Sequence, residues 1–167
     1  MRSSIAPLSL VVAAAMTLSM LPLAFAAESK EPIPESRISL QTIKALLSQS
    51  DIMADFDSDG DLMVPSGGMK TFFKLDPHKK LVTIFSAWKL KDRATQIQKL
   101  QLVNDLNNRL VVVRFCVPRE NMLWCDYQFS YESGISPYRL VQNYHIFVKV
   151  VKGAVATQDP DNIIGEN

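Results

Sequence analysis

The residues best suited to chemistry in this 167-residue chain are four aspartates at alternate positions, Asp55, Asp57, Asp59 and Asp61, interrupted by Gly60. Read as D-x-D-x-D-G, they match the opening of a calcium loop, in which carboxylates supply hard oxygen ligands. The match stops at the twelfth position, which is Ser66 where a bidentate Glu is required; Pro65, Gly67 and Gly68 exclude the helix that should follow. The run also reads as a tight hairpin turn over Ser58 to Gly60, because Asp and Gly tolerate positive φ. Turn chemistry accounts for it without metal, and a calcium-dependent binding module using Asp55, Asp57, Asp59 and Asp61 stands as the alternative function.

Other chemistry is thinner. His78 lies in a lysine-flanked turn and His145 on a helix face shared with Gln142 and Lys149. No G-x-S-x-G elbow accompanies them, and two isolated histidines with two separated cysteines do not make a zinc site. Asn104, Asp105 and Asn107 read as polar groups along and at the end of a helix. No catalytic residue is assigned and no cofactor is implied. The chain is expected not to be an enzyme, and an envelope enzyme with an unrecognised site ranks third among the readings.

The elements that must position these residues follow from hydrophobic period. Ser39 caps a first helix with apolar Leu40, Ile43, Leu46 and Leu47. The Asp-rich hairpin comes next, and then strands over Met69 to Leu75 and Lys80 to Trp88 joined by Asp76-Pro77-His78-Lys79. Asp92 is the expected cap of a second helix running to about Asn108. There the period changes from about 3.6 to 2, and the helix hands directly into a strand. Strands over Leu110 to Val117 and Met122 to Ser130 form the last hairpin. Ser136 and Pro137 then start a third helix, with apolar Leu140, Tyr144, Phe147, Val148 and Val151, expected to end at Gly153. The order is α-β-β-β-β-α-β-β-α. Hairpins in place of βαβ crossovers imply an antiparallel β-sheet with helices packed mainly on one face, an α+β domain.

Register can be argued for the final hairpin. Val111, Val113, Phe115 and Val117 alternate on one strand, and Leu123, Cys125, Tyr127 and Phe129 on the other. Matching these odd sets pairs Val117 with Leu123 across a three-residue loop, Arg119-Glu120-Asn121, in which Asn121 accepts the left-handed conformation. Arg114 then faces Asp126 as an opposite-charge cross-strand pair. Cys116 and Cys125 fall on opposite faces, which disulfide geometry cannot bridge; only a slipped register would join them. The even face mixes Leu110, Val112, Cys116, Met122 and Trp124 with Arg114, Asp126 and Gln128, too greasy for a solvated face. Val82, Ile84 and Trp88 are expected to extend it. Burial beneath the first helix or the tail is one account of this face. The other is a dimer or client surface, with Val112, Arg114, Trp124 and Asp126 as the partner-binding residues.

Composition sets the context. Arg2, the uncharged apolar run Ile5 to Leu23 and Ala24-Phe25-Ala26 form a signal peptide over residues 1–26, with cleavage between Ala26 and Ala27. Its loss takes the formal net charge from +1 to zero. A neutral chain without a basic cluster argues against nucleic acid. No second apolar stretch could span a membrane, so the product is expected to be periplasmic or secreted. Residues 27–38 read as a flexible linker, residues 39–153 as the domain and 154–167 as a C-terminal tail.

Asp59-Gly60-Asp61, the LVNDLN helix (Leu102 to Asn107) running into RFCV (Arg114 to Val117), and Gly134-Ile135-Ser136-Pro137 together resemble the bacterial YbjN family, described as sensory-transduction regulators. The likeness covers about Ser39 to Val151. It implies a fold like that of type III secretion chaperones, which often dimerise and hold extended partner segments. It supplies no catalytic motif, and an export signal departs from the family's cytosolic members. Together these lead to an exported, non-enzymatic interaction or chaperone-like domain, with a protein partner engaged through sheet edges or the even face, and with a homodimer as one form of that contact.

Overall fold

The computed structural model describes residues 31–118 and 121–167. The signal peptide, most of the linker preceding Ile33 and the loop residues 119 and 120 lie outside them. After a single 3-10 turn at Glu35–Arg37, the elements are α1 (Leu40–Gln49), β1 (Asp55–Phe56), β2 (Leu62–Ser66), β3 (Met69–Asp76), β4 (Leu81–Lys89), α2 (Gln96–Arg109), β5 (Arg114–Cys116), β6 (Met122–Ser130) and α3 (Pro137–Thr157). This is the order expected from the sequence. The six strands form one antiparallel sheet, β1-β2-β3-β4-β6-β5.

Alternation along the strands divides the sheet into two faces. Leu62, Val64, Phe73, Val82, Ile84, Phe115, Leu123 and Cys125 are buried together with Ile43 and Leu47 of α1, Leu102 and Leu106 of α2, and Leu140, Phe147 and Val151 of α3. Apolar residues at helical spacing thus drive the helices onto one face, where burying each large side chain contributes on the order of 1.5–3 kcal/mol. The alternate residues, among them Phe72, Phe85 and Trp124, face away from this core.

Local chemistry sets the element ends. Ser39 accepts from the Thr42 N–H and Ser136 from the Arg139 N–H, with Pro137 opening α3. The cap of α2 is Thr95, not Asp92: Thr95 Oγ1 accepts from the Gln98 N–H, and the Gln98 side chain accepts from the Thr95 N–H, a reciprocal box that Asp92 has no partner to form. In the β1–β2 turn, Asp57 Oδ1 accepts from the N–H groups of Asp59 (3.0 Å) and Asp61 (2.9 Å), and Gly60 has φ +82°. That is the aspartate-led turn read from the sequence.

Four other expectations change. The strand expected over Leu110 to Val117 is regular only at Arg114–Cys116; Leu110 closes α2, and Val111 and Val112 form a bend, with Val111 fully exposed. Gly153 does not stop α3, which runs to Thr157 because Ala154 still faces the core. The linker is not free throughout: Ile33 exchanges main-chain hydrogen bonds with Ile135 (2.8 and 3.0 Å), and Lys80 lies 3.0 Å from Glu35. Gly134 permits this approach, since a Cβ there would lie 2.4 Å from Ile33 O. The tail also docks. It turns through Asp159 to Asn162 and returns beside the end of β4, where Ile164 bridges Leu90 and Ile163 is buried.

Candidate functional site

The helix-free face carries the unusual chemistry. Phe72 of β3, Phe85 of β4 and Trp124 of β6 stack in a row. The Phe72 and Phe85 centroids are 5.1 Å apart at 17°, and those of Phe85 and Trp124 are 4.2 Å apart at 15°. Phe85 is only 7% exposed although no helix among the described residues covers it; its two aromatic neighbours do, and Phe72 and Trp124 are half-buried. Near-parallel offset rings at these distances attract through dispersion and quadrupole geometry. Met63 lies opposite Phe72, and Cys116 opposite Trp124.

Beside the row lies the cross-strand pair read from the sequence. Arg114 is opposite Asp126, and its Nε and Nη2 donate to Asp126 Oδ1 at 3.1 and 2.9 Å, with Nη2 also 3.2 Å from Oδ2. The carboxylate is buried, whereas the arginine side chain remains 67% exposed. Hydrogen bonding to Asp126 holds the guanidinium above its already high range. Phe85 also pairs with Asp126 in register, so the ion pair and the rings meet on one row of the sheet. A shallow cleft of about 370 Å³ opens between Arg114, Asp126, Gln128 and the exposed Val112.

The structure therefore brings together all four expected partner-binding residues. Arg114, Trp124 and Asp126 lie on adjacent strands, and Val112 sits at the rim rather than in the strand. The expected extension through Val82, Ile84 and Trp88 is wrong: all three are buried in the helix-covered core. Residues on β4 pair with residues of opposite parity on β6, as Phe85 with Asp126, so the even face of β6 continues on the odd positions of β4. Phe72 and Phe85 were missed for this reason. The available signal was the adjacency of Ile84 and Phe85, which makes β4 apolar on both faces.

Asn107 has a different role from the polar helix end expected of it. Its Nδ2 donates to Phe115 O at 2.9 Å and its Oδ1 accepts from Phe115 N at 2.8 Å. A side-chain amide thus takes the place of a neighbouring strand on the outer edge of β5. At the opposite end of the sheet, no strand among the described residues pairs with Val64 to Ser66 on the β1 side of β2, and there Pro65 has no N–H to offer. Both margins are blunted against strand addition.

The two cysteines fall on opposite faces, Cys125 with Phe115 in the core and Cys116 opposite Trp124, and both are free thiols. Burial pushes both thiols above their ordinary range, Cys125 far more strongly. In the Asp-rich turn, Asp55 is held 2.7 Å from Lys44, Asp61 lies 3.6 Å from Lys74, and Asp57 accepts from two main-chain amides. His78 and His145 are both exposed, in the β3–β4 turn and on α3. Among the described residues no three His, Cys, Asp or Glu side chains are gathered as metal ligands.

Residues 39–157 match the family model described as T3SS (YopN, CesT) and YbjN peptide-binding chaperone 1. The chain belongs to this family. The fold is shared with the crystal structure of YbjN from E. coli at a TM-score of 0.66 and 10% identity, covering 77% of this chain and 96% of that one. The Yersinia pestis type III secretion chaperone SycH, crystallised with a fragment of YscM2, aligns at a TM-score of 0.46 and 10% identity, over 70% of this chain and 96% of SycH. No curated protein matches in sequence. The family is one of peptide-binding chaperones, and the six-stranded sheet with its three helices is the form it takes here.

Proposed function

We propose that this protein is an exported, non-enzymatic chaperone-like domain that holds an extended segment of a protein partner on the helix-free face of its sheet. The observation that carries this reading is the stacked row Phe72–Phe85–Trp124 ending at the Arg114–Asp126 pair. Flat, half-buried rings offer apolar area with little side-chain entropy to lose, and the exposed side of Arg114 offers charge-assisted donors to peptide carbonyls or carboxylates. An extended peptide presents alternate side chains to such a surface. The blunted margins favour the face over the edges. Export is supported by Arg2, the apolar run to Leu23 and Ala24-Phe25-Ala26; its mark is a mature chain whose mass starts at Ala27.

Reduced, carboxymethylated α-lactalbumin, a permanently extended chain, serves as the test client. Labelled with fluorescein, it should bind the mature protein with a rise in anisotropy. Trp124→Glu should abolish binding and leave the circular dichroism spectrum intact. Unchanged binding by a folded Trp124→Glu variant overturns the reading.

A further inference from the structure

The interior of the sheet contains a break that its own tail fills. β3 and β4 pair from Asp76 and Leu81 as far as Phe72 and Phe85, and then part. Continued in register, Lys70 would meet Ala87. Instead Ser86 Oγ donates to Lys70 O (2.7 Å), the Asn167 side-chain oxygen accepts from the Lys70 N–H, and Asn167 Nδ2 donates to Ala87 O (2.8 Å). Beyond this point the tail runs antiparallel to β4 as a short extra strand. The Lys91 N–H donates to Ile163 O (2.8 Å), the Gly165 N–H to Lys89 O (2.7 Å) and the Lys89 N–H to Glu166 O (2.8 Å).

The approach to this strand is built as well. Asp159 accepts from the N–H groups of Ile163 and Ile164, both at 2.8 Å, and Lys91 Nζ holds the Asn162 carbonyl and side-chain oxygens at 2.9 and 2.8 Å. Three positions are selective. Ile163 is 1% exposed, Asn167 supplies the amide that spans the gap, and a Cβ at Gly165 would stand 2.6 Å from Lys89 O. Most of the remaining hold is main chain, which any extended segment can reproduce.

From this we infer that the break beside Lys89 to Lys91 is a strand-addition slot occupied in cis by Ile163 to Asn167. It takes, once the tail leaves, an extended segment of another polypeptide with the pattern apolar-x-Gly-x-Asn. With both outer margins blunted, this is where the sheet accepts a strand, and the tail regulates access to it. The slot stands on the tail's own bonds and does not depend on the aromatic row.

The test uses the full chain with Gly165→Val, which forces the tail out of the slot, and a fluorescein-labelled peptide of residues 159–167, DPDNIIGEN. By anisotropy, the variant chain should bind this peptide at least tenfold more tightly than the wild-type chain, whose slot is filled. The same peptide carrying Gly165→Val should not bind. A folded variant that ignores the peptide, or equal binding by both chains, overturns the slot. Hydrogen exchange on the unaltered chain needs no variant: the amides of Lys89, Lys91 and Gly165 should exchange together and at least tenfold faster than those at the centre of β4. Exchange no faster than the centre of β4 overturns a displaceable tail. A wild-type dimer that Gly165→Val converts to monomer would assign the slot to a second copy of this chain and overturn the foreign segment.

Discussion

The two faces of the sheet are made by the same strands, yet they do different work. On one, Phe73, Ile84, Leu123 and Cys125 are sealed beneath helices and touch only the protein. On the other, the alternate residues Phe72, Phe85 and Trp124 cover one another and leave flat ring surface and a half-free arginine at the boundary with solvent. One step along a strand separates a residue that maintains the fold from one that can meet a partner. Stability and recognition are interleaved in sequence but separated in space.

The largest expected effect tests the covered face. Phe147→Ala removes a fully buried ring and should cost about 3–5 kcal/mol, a large share of a typical domain's stability; urea denaturation measures it. Next comes Asn107→Ala, which removes two hydrogen bonds from the Phe115 N–H and C=O and, at about 0.5–1.5 kcal/mol net for each, should cost about 1–3 kcal/mol. The same change bares the β5 edge, so light scattering should rise with concentration, whereas Asn104→Ala should do neither. Trp124→Glu should cost about 0.5–1.5 kcal/mol for the lost stack, in addition to the ring area it uncovers on Phe85, while abolishing client binding. That contrast with Phe147→Ala is the sharpest form of the comparison. A Trp124→Glu chain as unstable as Phe147→Ala would make the two faces equivalent.

The smallest effect is a pH slope. Burial raises the Cys125 thiol in the folded chain, so the stability tied to its protonated form is fully present below the ordinary thiol value of 9.0. It is lost as pH rises beyond that, because the unfolded chain ionises first, by at most about 1.4 kcal/mol per pH unit. Tyr144, also raised by burial, adds a loss of the same sign above 10.0. Denaturation midpoints between pH 8.5 and about 9.5 should therefore fall in the wild type and less in Cys125→Ala. On the open side Cys116, only half-buried, should be alkylated before Cys125.

Local chemistry explains which parts of this could be read from the chain. The turn around Ser58 to Gly60, the caps Ser39 and Ser136, and the Arg114–Asp126 register are each determined within a few residues or a single short loop, and the structure has them all. The pairing of β4 with β6 spans α2, so no loop length fixes its parity, and the sequence pattern alone does not tell which of Ile84 and Phe85 faces the helices. Docking of Ile163 and the clasp of Asn107 on Phe115 depend on where separate elements meet, which periodicity does not encode.

That clasp has a consequence for the order of assembly. Asn107 and Phe115 are eight residues apart, whereas β4 and β6 must close a far longer stretch of chain, at greater entropic cost. Loop entropy therefore favours shielding the β5 edge, by the helix that precedes it, ahead of the long-range pairing of the sheet.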